Sequence, residues 1–189
     1  MTGAVITGWG ISVPEKVVTN EELSQTLDTN DEWIVERTGI RERHVGSSTS
    51  QLAIEAGERA LSQAGVEPSQ VDMVLLATTT ADAIVPATSA AVQNGLGLPN
   101  AGAFDLNAAC SGFVYGLVVA HGLVQVGTRC ILLIGSETLS RITDWDERTL
   151  SILVGDGAGA VVVEASDDRD QLLGWDLGAD GRRTRRRGP

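Results

Sequence analysis

Ala103-Phe104-Asp105-Leu106-Asn107-Ala108-Ala109-Cys110-Ser111-Gly112-Phe113 joins two apolar segments. Ala103 to Leu106 reads as a strand. Val114 to Ala120, just beyond, reads as a helix with almost no polar face. A helix that is apolar all round is a buried helix. Cys110 is therefore expected at a strand-to-helix turn, pointing into the interior from a helix N-terminus. The positive end of a helix favours a thiolate over a free thiol, whose pKa is about 8.5. The small neighbours Ala108, Ala109, Ser111 and Gly112 leave room for a substrate at the sulfur. Backbone N–H groups in such a turn can stabilise an oxyanion. On these residues alone the cysteine is either a nucleophile or a small core residue, which is what most unpaired cysteines are.

Working outward, Ala4 to Trp9 reads as a strand broken by Gly10 and Pro14. Asn20 is placed to cap a short helix reaching Leu27. Thr29-Asn30-Asp31-Glu32 has capping-box spacing and opens a helix that Gly39 ends. Arg41 to His44 is charged and extended, and Ser47 to Ser50 is a loop with a cap signal. Gln51 to Ala64 places Leu52, Ala56, Ala60 and Ala64 on one helical face, with Gly65 at its end. Val71 to Ala77 is a continuous apolar run, as in a central strand. Pro86 to Gly95 reads as a small-residue helix. Gly127 ends the helix after Cys110, and Cys130 to Ile134 is a second buried strand, with Cys130 filling its core. Arg141 to Thr149 is polar and irregular. Ser151 to Val154, Ala158 to Glu164 and Leu172 to Gly178 read as further strands. Strands alternating with helices indicate an α/β fold.

Gly155-Asp156-Gly157-Ala158-Gly159-Ala160 is not a dinucleotide fingerprint, because β-branched Val161-Val162-Val163 follows where a helix is needed. It is expected to form a tight turn with close backbone approach near the cysteine.

The 189 residues suit one domain or half of a two-fold architecture, and 42% hydrophobic content supports a core. No run of about 18 apolar residues indicates a membrane span. No basic segment before Ala4 indicates a secretory signal. Cys110 and Cys130 give no disulfide framework, which fits a reducing, cytoplasmic compartment. The net charge of −11 argues against nucleic acid as a partner. Residues 182–189 are basic and read as a disordered tail, so 1–181 is taken as the folded unit.

Three motifs carry a family resemblance. Asn107 to Phe113 resembles the nucleophile motif of β-ketoacyl-acyl-carrier-protein synthase III, a thiolase-fold condensing enzyme. Thr29-Asn30-Asp31-Glu32-Trp33-Ile34-Val35-Glu36-Arg37-Thr38-Gly39-Ile40-Arg41-Glu42-Arg43-His44 resembles its N-terminal signature, and Gly155 to Ala160 its glycine loop. The resemblance covers about residues 4 to 181. It implies the cysteine-bearing N-terminal half of a layered α/β/α/β/α thiolase-like fold. It implies that Cys110 is acylated by acyl-coenzyme A and that malonyl-acyl-carrier protein then condenses with loss of carbon dioxide. It implies that Thr29, Trp33, Arg37 and Arg148 bind coenzyme A, by adenine stacking on the indole and by guanidinium cover or phosphate pairing. It further implies a homodimer with strand pairing near Asp105 and Leu106, and Val85 at the partner's acyl pocket. No metal and no permanently bound cofactor are expected.

The family's second-half His and Asn have no counterpart here. His44 matches a non-catalytic position, and His121 lies about three helical turns past Cys110. Glu137 is expected to be structural. The family pattern continues where this chain turns basic, and a frame change near Gly181 is the expected reason. Two alternatives share the motifs: a priming ketosynthase of polyketide assembly, and a non-catalytic remnant or dimerisation subunit.

Overall fold

The computed structural model describes residues 2–181. The elements in chain order are β1 (Gly3–Ser12), β2 (Val17–Thr19), α1 (Asn20–Leu23), α2 (Asp31–Thr38), β3 (Glu42–His44), α3 (Thr49–Ala64), β4 (Met73–Ala77), α4 (Thr88–Gly95), β5 (Gly102–Leu106), α5 (Gly112–Gln125), β6 (Cys130–Thr138), α6 (Arg148–Ser151) and β7 (Asp156–Ser166).

Five strands form one sheet in the order β1-β7-β6-β4-β5. β4 lies parallel to β5 and β6, while β7 runs antiparallel to β6 and β1. The period of two along each strand divides the core between the two faces. Val74, Leu76, Leu132 and Ile134 pack with Ala53, Ala56 and Ala60 of α3 and Val92 of α4. Leu75, Ile131 and Leu133 face the other way, onto Ala120 and Val124 of α5. Both faces of the central strands are thus buried, which is why they read as unbroken apolar runs. A satellite core of Val18, Leu23, Leu27, Ile34, Val45 and Ile152 sits under the β2–β3 ribbon, with Trp33 and Trp145 packed against it.

α5 forms where expected but is not buried all round. Its buried residues are Gly112, Gly116, Ala120 and Val124, one stripe at a spacing of four. That stripe is small because it lies close to the sheet: a Cβ on Gly116 would stand 2.5 Å from Leu133 Cδ1. The sheet covers one side of the helix, Tyr115 and His121 bond the segment 170–178 on another, and Val114 is left half exposed.

Several local expectations are corrected. Thr19, not Asn20, caps α1, its hydroxyl accepting from Glu22 N. The Asn20 amide is turned inward instead, donating to Asp31 Oδ1 and Ile40 O. Asn30 rather than Thr29 caps α2, accepting from Trp33 N at 2.8 Å. Residues 151–154 are not a strand: the Glu147 carboxylate accepts from Thr149 N and Leu150 N and winds α6 there. Gly157 and Gly159 lie inside β7, paired with Glu137 and Gly135, rather than in a turn. Residues 172–178 form no strand, and Leu173 is almost fully exposed. The basic stretch 182–189 lies outside the described residues.

Candidate active site

β5 ends at Leu106, and a single 3₁₀ turn, Ala109–Ser111, joins it to α5. The Asn107 carboxamide accepts from Ala109 N, and Ala109 is held at φ 48°. That left-handed backbone is uncommon for a residue with a Cβ and is a form of strain that recurs at functional turns. The turn lifts Cys110 to the surface: the thiol is exposed, not directed into the interior as the helix pattern implied.

Cys110 stands in a cleft of about 480 Å³ lined by Ala77, Thr79, Phe113, Glu137, Leu139 and Gly159, among others. These residues come from the C-terminal ends of the parallel strands β4 and β6, from the turn after β5, and from the start of β7. The crevice outside the carboxyl ends of parallel strands is where open α/β sheets place their ligands. The glycines of β7 thus approach the cysteine as expected, although as strand residues. Two amides of the turn are already committed, Ser111 N to Ala108 O and Gly112 N to Ala109 O. An oxyanion here must use other donors.

Glu137 faces this cleft but is fully engaged. It accepts from Thr79 N at 2.7 Å, from the Thr79 hydroxyl at 2.9 Å and from the Thr80 hydroxyl. It pins the loop after β4. His121 bonds Asp170 at 2.9 Å and His44 bonds Pro14 O at 2.6 Å, both by ring nitrogens. Cys130 is buried, and burial first, then Glu164 and Asp72, push its thiol up to about 12.

A second constellation lies on the satellite core. The guanidinium carbons of Arg37 and Arg148 stand 4.3 and 4.6 Å from the Trp33 ring centroid. Arg148 comes from α6, far along the chain, and also donates to Asp28 O at 2.6 Å. Thr29 follows directly, its hydroxyl buried and without a partner. Trp33, Arg37 and Arg148 are thus brought together, with Thr29 next in the chain to the Asp28 carbonyl that Arg148 bonds.

No group of three or more His, Cys, Asp or Glu poised to hold a metal ion occurs among the described residues. No described helix is long and apolar enough to cross a membrane.

Residues 104–181 match the family model of 3-oxoacyl-[acyl-carrier-protein] synthase III. The chain is 50% identical over 182 residues to the β-ketoacyl-[acyl-carrier-protein] synthase III of Roseiflexus castenholzii, covering 94% of this chain and 55% of that protein. It is 52% identical over 168 residues to the Bradyrhizobium diazoefficiens protein of the same name, covering 87% and 52%. In sequence it matches about half of a ketoacyl synthase III. The fold agrees. The crystal structure of the ketoacyl synthase III of Pseudomonas aeruginosa superposes with a TM-score of 0.90 at 45% identity, covering 96% of this chain and 57% of that one. The priming β-ketosynthase of the R1128 polyketide pathway superposes with a TM-score of 0.84 at 39% identity, covering 87% and 51%. The described residues thus form a thiolase-like layered α/β unit.

Within that ketoacyl synthase III frame, several lining residues escaped the sequence reading. Thr79, Ser136 and Leu139 carry no motif. Thr79 and Ser136 were within reach, since each follows the buried run of a strand whose C-terminal end faces the cleft.

Proposed function

We propose that this chain is the acyl-accepting part of a ketoacyl synthase III. The observation that carries the reading is the exposed Cys110 in a cleft of small residues at the converging strand ends. In this reading the Cys110 thiolate attacks the thioester carbonyl of acyl-coenzyme A. The carbon–sulfur bond to coenzyme A breaks, coenzyme A leaves as its thiolate and takes up a proton, and the acyl group stays on Cys110. Trp33, Arg37 and Arg148, with Thr29 beside them, hold the nucleotide end.

Decarboxylative condensation with malonyl-acyl-carrier protein, and hence the start of fatty acid synthesis, belongs to the whole enzyme. The resemblance assigns the His and Asn for that step to the family's second half, and this chain spans about half the length of its relatives. The working form is a cytoplasmic homodimer. β5 is an edge strand with Phe104 exposed on it, open to pairing across a two-fold axis. Val85, exposed in the loop before α4, reaches the partner's acyl pocket, and its small size admits a longer or branched primer.

The polyketide-priming reading is kept alive by the 39% identical R1128 neighbour.

Intact-mass spectrometry after mixing the chain with acetyl-coenzyme A, beside a Cys110→Ala control, tests the first transfer. A gain of one acetyl group that the control lacks is expected. No gain by folded protein rejects independent acyl transfer.

A further inference from the structure

Arg43 is a guanidinium in an unusual place. It lies at the middle of β3, 5% exposed, while Glu42 beside it faces solvent. Among the described residues no carboxylate pairs with it; the arginine ion pairs there belong to Arg37, Arg41 and Arg141. Its Nη1 donates to Val18 O at 3.1 Å, and its Nη2 to Asn20 Oδ1 at 2.7 Å and to Ile152 O at 3.3 Å. Its Nε is buried without a partner. Burial pushes its pKa down. A buried charge satisfied by neutral oxygens adds little net stability compared with an apolar side chain of the same size. Its value lies in geometry, because a planar fork can bond three acceptors on two distant segments, 18–20 and 152, at once.

Two of the three acceptors lead to the second constellation. Asn20, fully buried, relays the bond through its Nδ2 to Asp31 Oδ1 at 2.7 Å and Ile40 O at 2.8 Å. These two residues bracket the helix that carries Trp33 and Arg37. Ile152 immediately follows the turn that carries Arg148. Farther along the same segment, a Cβ on Gly155 would stand 3.2 Å from Arg43 Cβ and 2.9 Å from His44 O.

We propose that Arg43 is a positioning residue that locks the Trp33–Arg37 helix to the Arg148 turn and so sets the width of the nucleotide site. The inference rests on the coenzyme A reading of that site. Arg43 touches no substrate. Its role is to fix how far apart the two halves of the site stand.

The test pairs two variants with two thioesters. Arg43→Lys keeps a charge but has no fork. Asp31→Ala cuts the relay at its surface end and leaves Arg43 in place, so the fold survives if Arg43→Lys fails to fold. Acylation of Cys110 is followed by intact mass with acetyl-coenzyme A and with acetyl-pantetheine, which lacks the nucleotide. For Arg43→Lys, the acetyl-coenzyme A concentration giving half-maximal rate should rise at least tenfold. The maximal rate and the acetyl-pantetheine rates should stay within twofold. Asp31→Ala should move the same way by a smaller factor. An equal fall with both thioesters, or no change with either, overturns the proposal.

Hydrogen exchange gives a reading independent of coenzyme A. In both variants residues 29–38 and 148–155 should gain exchange together while α3 and β4 stay protected. If the unsubstituted chain does not favour the nucleotide-bearing thioester, the coenzyme A reading fails, and exchange alone judges the lock. Loosening confined to residues 42–44 rejects it.

Discussion

Treating the folded chain with iodoacetamide at pH 8 should place a single label, on Cys110. The second cysteine is withheld for two reasons. Cys130 is 4% exposed on β6, and burial together with Glu164 and Asp72 pushes its thiol up to about 12. At pH 8 such a thiol is about 0.01% thiolate, against about a quarter for an ordinary thiol of pKa ~8.5, a deficit of about 2,000-fold in the reactive form. Peptide mapping after a short reaction should show one adduct, on the peptide carrying Cys110. The Cys110→Ala chain should take none in the same time, and both cysteines should label in urea. Labelling of Cys130 in folded protein within tenfold of the Cys110 rate would refute the reasoning.

The same shift fixes an alkaline stability limb. The unfolded chain gives up the Cys130 proton near pH ~8.5, whereas the folded chain keeps it to about 12. Stability from burying the neutral thiol is therefore complete below pH ~8.5 and falls as pH rises toward 12, by about 1.4 kcal/mol per unit. Between pH 8 and 10 the parent chain should lose about 2 kcal/mol more than a Cys130→Val chain in urea unfolding. Equal losses would mean that the thiol is not held neutral by its site.

Three further outcomes are expected. Burial alone would raise the Asp82 carboxyl, but bonds from Ser50 and Thr49 at the start of α3, with Arg141 beside them, outweigh it and hold it below the usual carboxylate range. Its contribution is present above pH ~3.9 and lost as pH falls through its lower folded pKa. Asp82→Asn should thus cost at most about 1 kcal/mol at pH 7, because solvent screens the carboxylate, with the gap narrowing in acid; a gap as wide at pH 3 as at pH 7 contradicts the assignment. Trp33→Ala should weaken coenzyme A binding by calorimetry about 5- to 150-fold, the equivalent of ~1–3 kcal/mol of stacking, and an affinity within twofold removes Trp33 from the site. Gly39→Ala and Gly122→Ala should have opposite signs, although a Cβ meets nothing within 4 Å at either position. Gly39 ends α2 at φ 73°, so alanine costs about 1 kcal/mol there, while in the interior of α5 it gains about 0.5–1 kcal/mol in thermal or urea unfolding.

Elements whose stability is local or whose burial is two-sided were readable before the fold. β4, β6 and α3 announce themselves because the sheet hides both faces of the strands and one stripe of the helix. The failures share a cause, which is that the deciding partner lies far away in sequence. Leu172 to Gly178 carries strand-like residues, but a strand needs an edge to pair with. β1 is bonded instead by the residues just before this segment: Ala4 N donates to Asp170 Oδ1, Gln171 N–H donates to Ala4 O, and the Gln171 side-chain oxygen accepts from Ile6 N. Arg41 to His44 has the charge of a solvated surface, yet pairing with β2 imposes a period of two that turns Arg43 inward. Alternation in an extended segment was the available signal, and charge masked it.

The candidate site divides along the same line. Cys110 and Trp33 were legible because each sits in a motif a few residues long. Their surroundings were not, because the cleft is made where the ends of β4, β5 and β6 meet the start of β7, four segments brought together only by the sheet order. Even the exposure of Cys110 depends on this. The apolar pattern of α5 argues for an interior cysteine, but the close seat of Gly112 and Gly116 on Ala77 and Leu133 draws the helix onto the sheet. The chain must then climb from β5 through Ala109 at φ 48° to reach it. The glycine stripe and the strained alanine act together: one sets how near the helix lies, and the other where the thiol emerges.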